Sequence, residues 1–294
     1  MKKTILVTGG TGFIGLHLLK HLSTLPQYEV IVLSSTQISG FKTILHQNYT
    51  FNKSVFEKNG TAKIDVVIHA GAFIPKTAND ANNISLSNSN ILNTQYLLNN
   101  LPPVNKFIFL STVDAYKQTD VITEQSITEP VSLYGWSKLY CERMVECWGK
   151  ENNISTQVLR IGHIYGSGEE KYQKLIPTTI RKCLTNENPV IFSDGQEKRA
   201  FLYVSDCVKA IVSSIDLTEN VGVINVVSEE SQSVYEIVSI IKNAVNENLT
   251  IEIKNSTGNL RNLIFDASKM KKYLHTPEVS FKNGVKEEVE QFVI

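Results

Sequence analysis

Two side chains in this sequence are spaced for shared chemistry. Tyr134 and Lys138 lie four residues apart in Tyr134-Gly135-Trp136-Ser137-Lys138, which puts a phenol and an ammonium on one face of a helix. A lysine charge beside a phenol favours the phenolate and lowers its pKa toward working pH. Such a phenol gives or takes the proton of an alcohol while hydride moves to or from the alcohol carbon. Lys138 is also placed to hold the ribose of a nicotinamide. Taken alone, Tyr-x-x-x-Lys is more readily a half-buried tyrosine beside a lysine that snorkels to water. Here it follows the apolar run Phe107-Ile108-Phe109-Leu110 and the hydroxyls of Ser111 and Thr112. Those hydroxyls emerge at the carboxyl edge of a sheet, where open α/β sheets bind ligands.

A hydride carrier has its own signal. Thr8-Gly9-Gly10-Thr11-Gly12-Phe13-Ile14-Gly15 follows an apolar strand and opens a helix. Glycines there turn the backbone tightly, admit a diphosphate without an intervening side chain, and let the helix N-terminus supply N–H groups and positive potential. The spacing fits both G-x-G-x-x-G and G-x-x-G-x-x-G, so it does not separate ordinary Rossmann enzymes from short-chain dehydrogenases. No Gly-Lys-Ser/Thr closes the turn, which excludes a Walker A loop. After the second strand, Ser34, Ser35 and Thr36 stand where Asp or Glu grips the adenosine ribose. With no carboxylate to repel a 2'-phosphate and no arginine to attract one, the expectation tilts to NADP over NAD.

The elements that position these groups follow from patterning. Thr4–Thr8, Val30–Leu33, Val66–His69, Phe107–Leu110 and Val158–Ile161 read as buried strands; Phe13–Leu25, Asn90–Asn100 and Tyr134–Lys150 read as helices. Their alternation predicts an α/β fold with a Rossmann-type, doubly wound parallel sheet. After Gly162 the regularity weakens. A loop at 166–168, a helix over Tyr172–Asn186, a turn at 193–195, a strand over Val223–Val227, and helices over Val234–Asn246 and Ser268–Leu274 make a smaller, interrupted lobe. The expected division is a dinucleotide domain of residues 1–161, rejoined by 200–228, and a substrate lobe of residues 162–199 and 229–294.

Composition removes other classes. In 294 residues, 29 Lys+Arg balance 29 Asp+Glu, which gives no overall attraction to nucleic acid or anionic membrane. With 42% apolar residues the chain can build a sizeable core, and disorder is excluded. No run approaches the ~18 apolar residues that cross a bilayer, and Ile5-Leu6-Val7 is too brief for a signal peptide. Cys141, Cys147, Cys183 and Cys207 show no C-x-x-C spacing and read as free thiols, so a cytoplasmic protein is expected. His17 and His21 lack a third ligand nearby in the sequence and read as helix residues, so no metal is expected.

Eight segments in order resemble the extended short-chain dehydrogenase/reductase family, which acts on nucleotide sugars: TGGTGFIG, VVIHAGA, NILNT, FLSTVDAY, EPVSLYGWSK, LRIGHIYG, DGQEKRAFLYVSD and RNLIFDASK. The resemblance runs nearly end to end. It implies Tyr134 as acid/base, Lys138 as its partner, and Thr112 as the hydroxyl on the reacting sugar oxygen, chosen over Ser111 because it lies four residues before Tyr116. It further implies Gly9, Thr11, Gly12, Phe13 and Ile14 around the diphosphate, and Ser34 and Ser35 at the adenosine end. Ala70, Gly71 and Ala72 should line the cofactor, with Asn90 and Ile161 close by. For the substrate it implies Asp114, His163, Arg199 and Arg261, the two arginines on the nucleotide diphosphate.

Departures shape the expected reaction. His163 stands where relatives commonly carry asparagine, and Ile161-Gly162 replaces larger residues. Val113 stands where the family's 4,6-dehydratases carry the first of two adjacent acids, which disfavours elimination. Reduction of a nucleotide-linked 4-keto-6-deoxy sugar by NADPH is favoured over 4-epimerisation with bound NAD, and a non-catalytic dinucleotide sensor is the alternative from another class. By the same resemblance a homodimer pairs through the helices at Asn90–Asn100 and Tyr134–Lys150.

Overall fold

Aliphatic runs without polar alternation become strands covered on both faces: Ile5, Leu6 and Val7 are wholly buried in the first of them. The computed structural model describes residues 2–77, 79–254 and 261–292. Its first half comprises β1 Lys3–Thr8, α1 Phe13–Ser23, β2 Tyr28–Ser34, β3 Lys42–Leu45, α2 Ser54–Lys58, β4 Ile64–His69, α3 Ile84–Asn100, β5 Val104–Thr112, α4 Leu133–Asn152 and β6 Ser155–Ile161. There follow β7 His163–Tyr165, α5 Leu175–Leu184, β8 Val190–Ile191, β9 Lys198–Tyr203, α6 Val204–Ser213, β10 Ile224–Val226, β11 Ser231–Ser233, α7 Val234–Val245, β12 Glu252–Ile253, α8 Ser268–Tyr273 and α9 Phe281–Phe292.

The large sheet has the order β10-β6-β5-β4-β1-β2-β3. Every pairing from β6 across to β3 is parallel, so the carboxyl ends of β1, β4, β5 and β6 share one edge. This is the expected doubly wound Rossmann architecture, and the reversal of strand order beside β1 makes the crevice where such sheets bind ligands.

The described residues divide into two compact units. The first holds 1–117, 127–161 and 208–224; the second holds 118–126, 162–207 and 225–294. The return to the first unit is therefore narrower than the 200–228 read from sequence, because β9 pairs with β7 and β11 in a separate three-stranded sheet. Residues 255–260 and 293–294 of the expected substrate lobe lie outside the described residues. In the first unit, Phe56, Leu97, Phe107, Phe109, Cys141 and Val145 form a core against α3 and α4. In the second, Tyr165, Ile176, Ile180, Tyr203, Ile237 and Phe281 form a separate core.

Several boundaries moved for local reasons. α3 begins at Ile84 and not Asn90, because the Asn83 side chain caps it by accepting from the Leu86 N–H, a signal hidden in a polar stretch. α5 begins at Leu175 and not Tyr172, with Pro177 in its first turn, where a missing N–H costs nothing. α7 opens with a reciprocal cap between Ser233 and Glu236. Strands β3, β7, β8, β9, β11 and β12, and helices α2, α6 and α9, were not legible as separate elements.

Candidate active site

The glycine turn is built by close approach. Gly9 has φ +73°, and a Cβ there would stand 2.6 Å from the backbone of Ala70 and Gly71. Only glycine lets the β1 turn lie against the segment leaving β4. Gly12 closes the turn by donating to the Gly9 carbonyl and then serves as the N-cap of α1, which no side chain caps and whose first turn carries no acid. A diphosphate fits such a bare helix start. Thr11 and Gly12 are exposed and Phe13 and Ile14 half-buried around it; Ala70, Gly71 and Ala72 are half-buried opposite Gly9.

Beneath this cradle runs a polar array that sequence reasoning missed. The Thr8 hydroxyl accepts from the Gly71 N–H (3.0 Å) and lies 2.6 Å from His69 Nδ1, while His69 Nε2 is 3.1 Å from the Thr94 hydroxyl. Burial first, and the Lys138 charge second, push His69 down to about 3, so the ring is neutral and locks three elements together. Its signal in sequence was a histidine ending an otherwise aliphatic strand. At the end of β2, Ser34 is buried and its hydroxyl accepts from the Thr36 N–H; Ser35 is exposed. Neither supplies a charge.

The second cluster lies at the ends of β5 and β6. The Thr112 hydroxyl acts on the Tyr134 phenol, working to lower its pKa, and both residues are buried. Thr112 also accepts from the Asp114 N–H (3.1 Å) and donates to Asp114 Oδ2 (3.3 Å), which fixes its rotamer. Ile161 is the cross-strand partner of Thr112. α4 brings Tyr134 to this point because Ser132 caps it and because Gly135 permits contact: a Cβ there would stand 2.6 Å from the Asp114 carbonyl oxygen.

Lys138 is buried one turn along α4, with Nζ 4.2 Å from the Phe109 ring centroid. Burial pulls its pKa down to about 8, with Cys141 and Glu142 opposing. Tyr134 departs from the sequence reading. Its pKa is raised, by burial first and by the Asp114 charge second, with only the Thr112 hydroxyl opposing. The phenol therefore rests protonated, since loss of water around a neutral acid outweighs a lysine four residues away. Asn90 is buried and structural in its bonds: Oδ1 accepts from the Phe73 N–H (2.7 Å), and Nδ2 donates to the Phe73 carbonyl and the Ser137 hydroxyl (both 3.2 Å). It holds the chain after β4, and so the Phe73 ring that meets Tyr134 edge-on.

His163, Arg199 and Arg261 belong to the second unit. There Arg199 Nη1 donates to the Arg261 carbonyl and the Lys198 carbonyl, so the two arginines are brought together. Burial first, then the Arg261 charge, lower the Arg199 pKa while Glu197 opposes. Arg261 Nε is buried without a hydrogen-bond partner among the described residues. His163 packs beside Phe201 at 5.7 Å between ring centroids. All four cysteines are free, and Cys141 and Cys147 lie on different faces of α4, one buried and one exposed.

A parallel sheet with a bare glycine turn at its first strand, and a buried hydroxyl, phenol and lysine at its carboxyl edge, defines a dinucleotide-binding protein of the Rossmann class. Residues 5–227 match the NAD dependent epimerase/dehydratase family, and the chain belongs to it. It is an enzyme of the NAD-dependent nucleotide-sugar epimerase and dehydratase kind. A putative UDP-glucose 4-epimerase of Methanocaldococcus jannaschii is 29% identical over 96% of each chain. The solved UDP-glucose 4-epimerase of Thermotoga maritima, with UDP-glucose, superposes with a TM-score of 0.86 at 26% identity, covering 99% of this chain and 98% of that one. The UDP-glucuronic acid 4-epimerase of Bacillus cereus, in complex with UDP-glucuronic acid and NAD, gives 0.84 at 26% identity over 99% of both. No helix among the described residues is long and apolar enough to cross a membrane.

Proposed function

We propose that this protein is a UDP-sugar 4-epimerase that retains NAD through the catalytic cycle. The favoured reading from sequence, reduction of a 4-keto-6-deoxy sugar by NADPH, gives way because several relatives with end-to-end likeness are named as 4-epimerases and a solved neighbour holds NAD. The structural observation that carries the proposal is the burial of Thr112, Tyr134 and Lys138 together, at the end of β5 and along the first turns of α4. Val113 supports it, since an apolar residue there supplies no acid for elimination.

The turn from Gly9 to Ile14 would hold the cofactor diphosphate, Ser34 and Ser35 the adenosine end, Ala70 to Ala72 the middle, and Lys138 the nicotinamide ribose. Bound NAD supplies a reversible hydride acceptor. Thr112 orients the C4 oxygen of the sugar. Positive charge gathering beside Tyr134 would release its phenolic proton to solvent; the phenolate then takes the proton from that oxygen and returns it to the same oxygen after the ketone has turned over. Lys138 is the protein's contribution to that positive charge. Arg199 and Arg261 would bind the diphosphate of the substrate, with the unpartnered Nε of Arg261 satisfied by a phosphate oxygen. Asp114 and His163 would contact the sugar nucleotide.

The same reading includes a homodimer. α3 and α4 enclose an apolar groove of about 550 Å³, lined by Ile84, Ile91, Leu133, Trp136 and Tyr140. An exposed patch of this kind suits a second copy of the chain. Sedimentation at working concentration tests it, with a dimer expected. Free cysteines suit the reducing cytoplasm.

The deciding assay offers the enzyme UDP-glucose or UDP-galactose without added cofactor and, separately, NADPH with a 4-keto-6-deoxy nucleotide sugar. Interconversion in the first supports the proposal. Its absence together with NADPH oxidation in the second restores reduction. Turnover unaffected by Tyr134→Phe excludes the proposed mechanism, and dinucleotide binding with neither reaction points to the non-catalytic alternative.

A further inference from the structure

Residues 134, 138 and 142 are spaced by four on α4, so a third functional group shares the face of Tyr134 and Lys138: the carboxylate of Glu142. It is buried and accepts three charge-assisted or short hydrogen bonds. Arg160 Nε and Nη2 donate to Oε1 and Oε2 at 2.9 and 2.7 Å, and the Ser111 hydroxyl donates to Oε1 at 2.5 Å. Ser111 and Arg160 are direct partners across β5 and β6, one residue before the pair Thr112 and Ile161. One carboxylate thus ties the helix that carries the phenol and lysine to the two strands whose ends carry the substrate-facing hydroxyl. Arg160 is itself seated over the Tyr116 ring, 4.5 Å from its centroid.

We propose that Glu142 is a positioning residue for the reaction: with Arg160 and Ser111 it sets Tyr134 in register with Thr112 and keeps the Lys138 ammonium charged. The inference rests on the Tyr134 and Lys138 reading above. Stability alone is a poor reason for the cluster, because desolvating a buried ion pair offsets most of its attraction and apolar replacements of similar volume are often equally stable. The groups facing Lys138 explain the second role. From α4 these are Cys141 and Glu142; from β4, the neutral His69; from β5, the Phe109 ring. Arg160 comes from β6, and Asp114 acts on Tyr134. Burial raises the Cys141 pKa, so its thiol is uncharged near neutrality and Glu142 is the anion left to oppose the desolvation of Lys138. Burial works against the Arg160 charge too, and the Glu142 bonds more than restore it.

The test is the pH profile of kcat for wild type, Glu142→Gln, Glu142→Asp and the double variant Glu142→Met/Arg160→Met. Glu142→Gln should lower kcat roughly tenfold at neutral pH and move its alkaline limb down by about one pH unit, with KM changed less than about twofold. Glu142→Asp should return the limb toward its wild-type position. The double variant should unfold near the wild-type temperature yet keep the displaced limb. An unmoved limb in all variants, or losses of kcat that follow only the melting temperature, overturns the proposal. Tyr134→Phe, assayed alongside, separates the two ways to fail. If it turns over like wild type, the underlying reading is wrong and this proposal falls with it; if it is inactive while the limb stays put, the role of Glu142 alone is rejected.

Discussion

The two compact units treat buried polarity differently. In the first, His69, Thr8, Asn90, Thr112, Glu142 and Arg160 are all hydrogen-bonded to protein partners, and among the described residues Ser87 Oγ is the one buried side-chain N or O atom left without one. In the second, Glu288 presents both carboxylate oxygens, Glu169 one oxygen and Arg261 its Nε to the interior without a partner among the described residues. A satisfied array is rigid and suits a site that must hold reacting groups within tenths of an ångström. Orphaned groups mark either a place that a ligand completes, as proposed for Arg261, or a place where folding is held back by charge, as at Glu288.

The largest effect that would break this contrast is at Tyr134. Tyr134→Phe removes one hydroxyl from a well-supported pocket, so turnover should fall roughly 10²- to 10⁴-fold while the melting temperature stays close to wild type. A large loss of stability in place of activity would show that the first array is merely structural. Next is the second unit: Arg261→Ala should raise KM for the nucleotide sugar roughly tenfold or more through the lost phosphate contact, with a smaller change in kcat. Isothermal titration with UDP alone reads the same loss without turnover, and unchanged UDP affinity would show that Nε serves no ligand.

Third is pH. Burial depresses Lys138 to about 8, so its ammonium is present below that value and lost above it. The rate should therefore decline as pH rises through about 8, and a flat profile to pH 10 would show that the Lys138 charge is not used.

The smallest effect concerns stability. Burial first, then Glu169 and Glu170, raise the Glu288 pKa to about 8 from 4.5, with Lys174 opposing. The folded state binds the extra proton between those values, so stability falls as pH rises from 4.5 through about 8. Glu288→Gln should flatten that decline and raise the melting temperature by roughly a few degrees at about pH 8. An unchanged slope would remove Glu288 from the account.

How much of this was legible in advance differs along the chain for physical reasons. Gly9 to Ile14, Thr112, Tyr134 and Lys138 stand out because each needs a particular residue type at a fixed spacing within one or two adjacent elements. Glu142 carried only a weak sign, its four-residue step from Lys138, and Arg160 only that of a charge inside an aliphatic strand. The polar start of α3 hid its cap at Asn83. Strands of two or three residues such as β8, β11 and β12 have too short a pattern to register.

Sequence by itself determined the alternation of strands and helices, the glycine turn and the phenol–lysine pair, since these follow from backbone sterics and from the period of one helix. Tertiary structure alone decided that Ser111 and Arg160 meet across β5 and β6 to receive Glu142, that His69 locks Thr8 to Thr94, and that the Tyr134 phenol rests protonated. Those outcomes depend on desolvation and on contacts between residues distant in the chain, which no local spacing records.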